Sequence, residues 1–346
     1  MFKVKKNTTK YKWPLGRKIL AWFCVLYIIG FSSFLFLFYG PIDSFRTWWI
    51  TTSMTTMSHQ YLAKIFYTEE MIQKVLSENY IIEVGEVTNP DMIKFRKHTM
   101  SIYKNQYEKE ILVHDEDQVY KVIQIQESSY HGVLVAIYDP SRIHIATTAY
   151  LGERGESILT VSERENALVA MNAGGFYDPN WDSNGGLPHG TVISYGQVVS
   201  DYLDIGYGGF IGFDQDNKLI LGSMSKQEAL NMGLRDAIEF GPFLIVNGKR
   251  SFIRGNGGWG TAPRSAIGQR QDGIVLMLVI NGRLASSIGA DMIDLCDIME
   301  RYGAYNAANL DGGSSSELVI NQEIANIPVA GTENGLRDMS TFWVVV

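Results

Sequence analysis

Between Lys18 and Asp43 the chain carries no charge for 24 residues, Ile19 to Ile42, and the run is dominated by Leu, Ile, Phe, Val, Trp and Tyr. About 20 apolar residues in a helix cross the hydrocarbon core of a bilayer, so this stretch reads as a membrane span rather than a core helix. A cleaved signal peptide is the rival reading, but its apolar region is shorter and ends in an A-x-A-like site. No such site is present; Ser32-Ser33 falls inside the run and is followed by Phe34-Leu35-Phe36. Residues 1–18 hold Lys3, Lys5, Lys6, Lys10, Lys12, Arg17 and Lys18 and no acid. That basic flank predicts a cytoplasmic tail at 1–18, an uncleaved signal anchor at 19–42, and residues 43–346 on the outer side of the cell membrane in a single-pass arrangement. The strongest later apolar run, Ile274 to Ile280, is too short to return.

Charge narrows the partners. Net charge is −7, so with a tail of seven basic residues the rest of the chain stands at −14. A body that acidic is a poor nucleic-acid binder, because phosphate neutralisation needs clustered Lys and Arg. The two cysteines, Cys24 in the span and Cys296 alone in the body, exclude an intradomain disulfide framework and a cysteine-based zinc site. Asn7-Thr8-Thr9 matches a glycosylation sequon but falls on the cytoplasmic side.

Residues 43–109 read as a helical membrane-proximal stalk. Thr68-Glu69-Glu70 is a helix start, and Met71, Ile72, Val75 and Leu76 follow at helical spacing. No heptad is sustained, which disfavours an oligomerisation helix. From residue 110 the texture changes, and 29 of the 34 glycines lie at 151–346. Short β-rich runs at 121–126, 133–138, 167–172, 191–195, 209–213, 274–280 and 341–346 alternate with turns. Ser225-Lys226-Gln227-Glu228 is a capping box. Asp291 to Tyr302 forms an amphipathic helix closed by Gly303, with Cys296 in its core face. The expected fold class is α+β, with one mixed sheet-and-helix domain over 110–346.

Several motifs carry candidate chemistry. Gly255-Asn256-Gly257-Gly258-Trp259-Gly260 matches G-x-G-x-x-G, but Pro263-Arg264 and a strand-like segment follow where a dinucleotide fold needs a helix, so that reading is rejected. Asn172-Ala173-Gly174-Gly175-Phe176 ends an apolar run and offers backbone donors, or is an ordinary glycine turn. Asn309-Leu310-Asp311-Gly312-Gly313-Ser314-Ser315-Ser316 sets one carboxylate beside two glycines and three hydroxyls, and reads equally as an acid-base nest or an Asp-Gly hairpin turn. Arg264 suits bidentate phosphate binding, although a lone arginine is usually a solvated one. Asp178, Asp182 and His189 lie in the loop after Asn172 near Tyr177 and Trp181, where two aspartates could form a glycosidase pair.

The order Asn172–Phe176, Phe240–Gly248, Ala262–Gly268, Asn309–Ser315 resembles the phosphodiester glycosidase family, whose members include the enzyme that uncovers mannose 6-phosphate and bacterial exopolysaccharide-related relatives. The resemblance covers about residues 130–346. It departs from the family pattern at Ala173, Ser265 and Ser314, which stand near positions commonly Gly, Thr and Gly; Ala173 and Ser314 place a Cβ where glycine is common.

The resemblance implies cleavage of a sugar-1-phosphodiester at the anomeric carbon. It implies Asp311 as catalytic carboxylate, Arg264 as phosphate clamp and Asn172 as a third catalytic member. Gly174, Gly175, Asp178, His189, Ser265, Gly312, Gly313, Ser314 and Ser315 are then expected to bind substrate. No cofactor is required; oxygen ligands from Asp311, Asp178 and Asp182 would suit a divalent cation, without a dedicated loop. The expected function is a membrane-anchored hydrolase of cell-envelope glycopolymers, with glycan or sugar phosphate as partner. A non-catalytic glycan-binding or scaffold protein of the same fold is the alternative, and a glycosyl transferase a weaker one.

Overall fold

A computed structural model of the chain describes residues 13–56, 59–96, 102–179, 183–202 and 208–346. Two compact units are present, residues 1–49 and 50–346. The first is built on the helix Leu15–Tyr39, which is long and apolar enough to cross a membrane. Pro14 sits at its N-cap, where a missing amide hydrogen costs nothing, and Gly40-Pro41 stops it, because proline cannot continue a helix. At 1.5 Å per residue its 25 residues reach about 38 Å.

The second unit is a mixture of sheet and helix, in agreement with the expected α+β class. A seven-stranded sheet runs in the order Lys249–Arg250, Phe243–Val246, Ala304–Asn309, Arg264–Arg270, Val275–Ile280, His131–Ile137, Tyr120–Gln126. A five-stranded sheet runs Glu323–Ile324, Leu318–Ile320, Val169–Asn172, Thr341–Val345, Ile143–Thr147. Another contains Gln197–Ser200, Val192–Ser194, Leu234–Phe240, Gly209–Asp214 and Leu219–Gly222. All pairings within these sheets are antiparallel.

The core explains the unbroken apolar runs. Along 133–137, Val133, Val135 and Ile137 face one cluster with Ile145, Met171, Phe213, Ile238, Ile267 and Trp343. Leu134 and Ala136 face another, shared with Leu295, Cys296, Ile298 and Met299 of the helix Met292–Arg301. A strand buried on both faces loses the polar alternation that marks a half-exposed one. The expected capping box at Ser225 is formed, and Asp291 with Asp294 forms a second.

Residues 43–109 are only partly helical. Thr68 caps the helix Glu69–Glu78, but Tyr80–Ile82 is a strand paired with Phe252–Arg254. Beyond it Glu83 accepts from the Phe243 amide at 2.8 Å, and Thr88 exchanges hydrogen bonds with the backbone of Leu221. The compact unit therefore takes in residues assigned above to a stalk, because extended backbone satisfies its amides on the domain's own sheets.

Candidate active site

The motif loops meet where the seven-stranded sheet and the sheet containing Val169–Asn172 come together. Asn172 ends its strand with no exposed surface. Its Nδ2 donates to the Asp311 carbonyl at 2.7 Å, and its Oδ1 accepts from the Ser265 hydroxyl at 2.7 Å and the Glu317 amide at 3.2 Å. The Asp311 amide in turn donates to the Ala173 carbonyl at 3.1 Å. One side chain thus ties three loops far apart in sequence. The expectation that Asn172 and Ser265 touch substrate does not survive this geometry, since both are buried and spent on one another.

The Asp311 carboxylate is half-buried and accepts from the Gly312 amide at 2.9 Å. The loop is not a hairpin turn; a short 3-10 helix follows at Gly313–Ser315. Desolvation raises the Asp311 pKa above the usual carboxylate value, and the Ser315 hydroxyl, Arg337, the Gly312 amide and Arg264 act against that rise. Among the described residues the buried Ser315 hydroxyl has no hydrogen-bond partner within ordinary distance, yet it acts on the Asp311 carboxylate.

Arg264 begins its strand and is only 4% exposed. Its Nε donates to the Ala290 carbonyl at 3.2 Å, and its Nη2 donates to the carbonyls of Trp259 and Gly260. Nη1 lies beside Gly312, about where a Cβ on that glycine would be 3.4 Å away. Burial pulls the guanidinium down to about 10, still charged at neutral pH; Asp291 and Asp311 hold it up and Arg283 pushes it down.

Two further arginines border the same loop, and neither was singled out from sequence. Arg283 donates from Nη1 to the Ser314 hydroxyl at 3.0 Å, and its Nη2 lies where a Cβ on Gly313 would be 3.0 Å away. Gly313 at φ +63° therefore meets two demands, a left-handed backbone and room for a guanidinium. Arg283 is itself at φ +58°, an uncommon conformation for a bulky residue and the cue that marks the position. Arg337 pairs through Nη2 with Asp178 at 2.7 Å and lies over the Phe176 ring at 4.5 Å. Its amide donates to Glu317 Oε1 at 2.6 Å. Glu317 is buried, its Oε2 has no hydrogen-bond partner among the described residues, and desolvation pushes its pKa to about 8. Nothing in the sequence around either residue distinguishes it from a surface charge.

The other expected ligands fall out as follows. Asp178 is buried and holds Arg337 and the Ser183 amide, so it positions rather than presents a carboxylate. Asp182 and Trp181 lie outside the described residues. The Gly174 amide is bound to the Thr341 hydroxyl and the Gly313 amide to the Pro263 carbonyl, which removes both as anion donors. Gly175 accepts the His189 amide at 2.9 Å, and the His189 ring packs close to it beside Tyr177. Burial lowers the His189 pKa below its ordinary value, against the backbone hydrogen bond at Phe176. Ala173 and Ser314 both keep φ outside the left-handed region, so their Cβ atoms introduce no strain. Among the described residues no three His, Cys, Asp or Glu side chains are grouped to hold a metal ion.

Comparison with known proteins gives the family of the chain. The sequence profile of phosphodiester glycosidases matches residues 165–346. The chain belongs to that family. The matched span holds all four motifs together with Arg283, Glu317 and Arg337. A relative in Bacillus subtilis (strain 168), the SPbeta prophage-derived uncharacterized protein YomE, is 29% identical over 214 residues, 59% of this chain and 32% of that protein. The chain thus spans about a third of the length of the curated relative it matches. Among solved structures the fold is similar to the zebrafish N-acetylglucosamine-1-phosphodiester alpha-N-acetylglucosaminidase catalytic domain auto-inhibited by its pro-peptide. That likeness has a TM-score of 0.55 at 19% identity and covers 67% of this chain and 85% of that one. The chain therefore shares its fold with that solved catalytic domain.

Proposed function

We propose that this protein hydrolyses a sugar-1-phosphodiester, of the N-acetylglucosamine type named for the zebrafish relative, in glycopolymers of the cell envelope. The observation that carries the reading is the grouping of Arg264, Arg283 and Arg337 around the loop that bears Asp311. A phosphodiester leaving group is a stable anion, so its expulsion needs charge stabilisation more than a strong general acid. Arg283 and the guanidinium face of Arg337 supply the anion clamp, and Arg264 adds positive field from beneath Gly312. Asp311 supports the developing positive charge at the anomeric carbon and takes a proton from the attacking water. The carbon–oxygen bond to phosphate breaks, the electron pair leaves with the phosphomonoester, and water supplies the new anomeric hydroxyl. A pKa raised by desolvation makes Asp311 a better base than an exposed carboxylate.

The helix Leu15–Tyr39 anchors the enzyme, with the basic tail in the cytoplasm and residues 50–346 beside envelope substrates. The acidic body disfavours tight static binding of a polyanionic polymer and so favours product release.

The test is release of free sugar from N-acetylglucosamine-1-phosphate esters by the detergent-solubilised chain. Asp311→Asn, nearly isosteric, should lower kcat by about a hundredfold or more while the protein stays folded. Turnover close to wild type in a folded variant would remove Asp311 from the chemistry, and no sugar release by the wild type would remove the function.

A further inference from the structure

The glycine loop 255–260 fits no dinucleotide fingerprint and touches no reacting atom in the proposed chemistry, yet it holds Arg264. The carbonyls of Trp259 and Gly260 both accept from Nη2 of that guanidinium. Such a loop is poorly suited to hold anything by itself. Gly255, Gly257, Gly258 and Gly260 all take positive φ, and glycine backbone has the most freedom to lose. The missing rigidity comes from residues 51–79. Asn256 donates through Nδ2 to the Thr51 hydroxyl at 2.6 Å, and its amide donates to Asn79 Oδ1 at 3.1 Å. The Thr261 amide donates to the Thr52 hydroxyl at 3.1 Å. The approach is close: a Cβ on Gly258 would stand 2.5 Å from the Asn79 carbonyl oxygen, and one on Gly260 2.6 Å from Thr52 Cα. These contacts bracket Trp259, so the peptide units that face Arg264 are pinned on both sides. We infer that Thr52 and Asn79 are positioning residues of the site: they fix the glycine loop, the loop fixes Arg264, and Arg264 sets the positive field beside Asp311.

Both supports are themselves held. Thr52 lies in the helix Asp43–Met54. Asn79 is buried, and its Nδ2 donates to the Val75 carbonyl at 2.7 Å, which ties it to the end of the helix Glu69–Glu78. Tyr80–Ile82 then pairs with Phe252–Arg254, the strand that leads into the loop. The loop therefore rests on regular structure rather than on another loop. A charge is useful to a site only when its orientation is settled before the ligand arrives, because reorientation on binding offsets the gain. Arg264 meets that condition through carbonyls whose own geometry is set by residues 51–79. Those residues precede the span 165–346 matched by the family profile, so the support is brought by a part of this chain outside it.

The inference rests on the proposed function for the role of Asp311, and the experiment separates the two. The full chain in detergent is compared as wild type, Thr52→Val, Thr52→Ser and Asn79→Ala. Thr52→Val is close to isosteric and removes only the acceptor of the Thr261 amide; Thr52→Ser restores it. Asn79→Ala acts on the same loop from its other end. Calorimetry with inorganic phosphate reads the anion field without turnover, and the Kd should rise about three- to tenfold in Thr52→Val and Asn79→Ala, while Thr52→Ser matches the wild type. KM for an N-acetylglucosamine-1-phosphate ester should rise in parallel, with kcat changed less. Asp311 is faced by the Ser315 hydroxyl, Arg337, the Gly312 amide and Arg264. A less fixed positive charge favours its protonated form, so the acid limb of kcat/KM should move to higher pH by about half a unit. A lower melting temperature with phosphate Kd and acid limb both unchanged would make the contacts packing only and overturn the positioning. Sugar release by the wild type with the KM of both variants unaltered also overturns it and leaves the hydrolase standing. Phosphate binding that weakens in the variants, with no sugar release by any protein, overturns the hydrolase reading and supports the positioning. A wild type that neither binds phosphate nor releases sugar overturns both.

Discussion

Asn172→Ala tests whether one buried amide holds the site together. The substitution removes three hydrogen bonds, to the Asp311 carbonyl, the Ser265 hydroxyl and the Glu317 amide. Each contributes about 1 kcal/mol net, and a buried group left without a partner costs about 1–3 kcal/mol. The Ser265 hydroxyl can rotate to another acceptor, whereas the Glu317 amide and Asp311 carbonyl cannot move without shifting their loops. The expected loss is therefore about 3–5 kcal/mol, a large share of the ~5–15 kcal/mol that typically separates folded from unfolded domains. Urea denaturation of the solubilised chain, followed by tryptophan fluorescence, gives the number; Trp343 is in the core and reports on it. Asn172→Asp keeps both accepting contacts but loses the donor and sets a charge against the Asp311 carbonyl, so it should recover only part of the stability. A loss below about 1 kcal/mol would refute the brace, and a fall in turnover without that loss of stability would return Asn172 to direct contact with substrate.

Other perturbations separate the remaining roles. Arg283→Ala removes an exposed side chain, so the melting temperature should hardly change while KM for the diester rises about tenfold; an unchanged KM would take Arg283 out of the clamp. Glu317 has a folded pKa of about 8, above its unfolded value, so its contribution to stability is complete below about pH 4.5 and is lost as pH rises towards 8. Glu317→Gln should flatten that decline and stabilise the protein at pH 8; parallel pH curves for the two proteins would contradict a buried carboxyl. If Leu15–Tyr39 is an uncleaved anchor, external protease on intact cells should degrade the body and leave a short membrane-bound stub; a soluble mature protein starting near residue 40 would rule this out.

The sequence was most informative where local chemistry and fold agree. Ser225 with Glu228 and Thr68 ahead of Glu69-Glu70 are satisfied within three or four residues, so their signals needed no tertiary knowledge. The glycine motifs marked strand ends correctly because tight turns demand glycine wherever they occur. Strands such as Leu234–Phe240 were less legible, since Arg235 and Asp236 interrupt the apolar pattern. In the structure Asp236 is buried and spent on the amides of Ile145 and Tyr195, partners 91 and 41 residues away. The segment 80–94 was misread for a related reason: its hydrogen bonds go to Phe243, Leu221 and Gln271, and nothing local announces them. Arg283 and Arg337 escaped notice because an arginine drawn into a site by tertiary contacts reads in sequence like a solvated one.

Expected from sequence as a phosphate clamp, Arg264 makes contacts of a different kind. A bidentate clamp must present its planar fork to the ligand. Here Nε and Nη2 face the carbonyls of Ala290, Trp259 and Gly260, so the fork holds the 255–260 loop instead. Among the described residues no carboxylate pairs with it at salt-bridge distance, and Asp291 and Asp311 act on it only through space. Carbonyl dipoles satisfy the hydrogens of a guanidinium without neutralising its charge. A buried cation held in that way keeps an uncompensated field, and the low dielectric around it makes that field stronger than the same charge would produce in water. The field is directed through Nη1 at Gly312, beside Asp311. Arg283 and Arg337, on the more exposed side of the same loop, are held by the Ser314 hydroxyl and by Asp178 rather than by a fork of backbone carbonyls. Under the proposed hydrolase reading the work would divide: a fixed interior charge would bias the site toward anions, and the two outer guanidiniums would supply the hydrogen bonds that hold one.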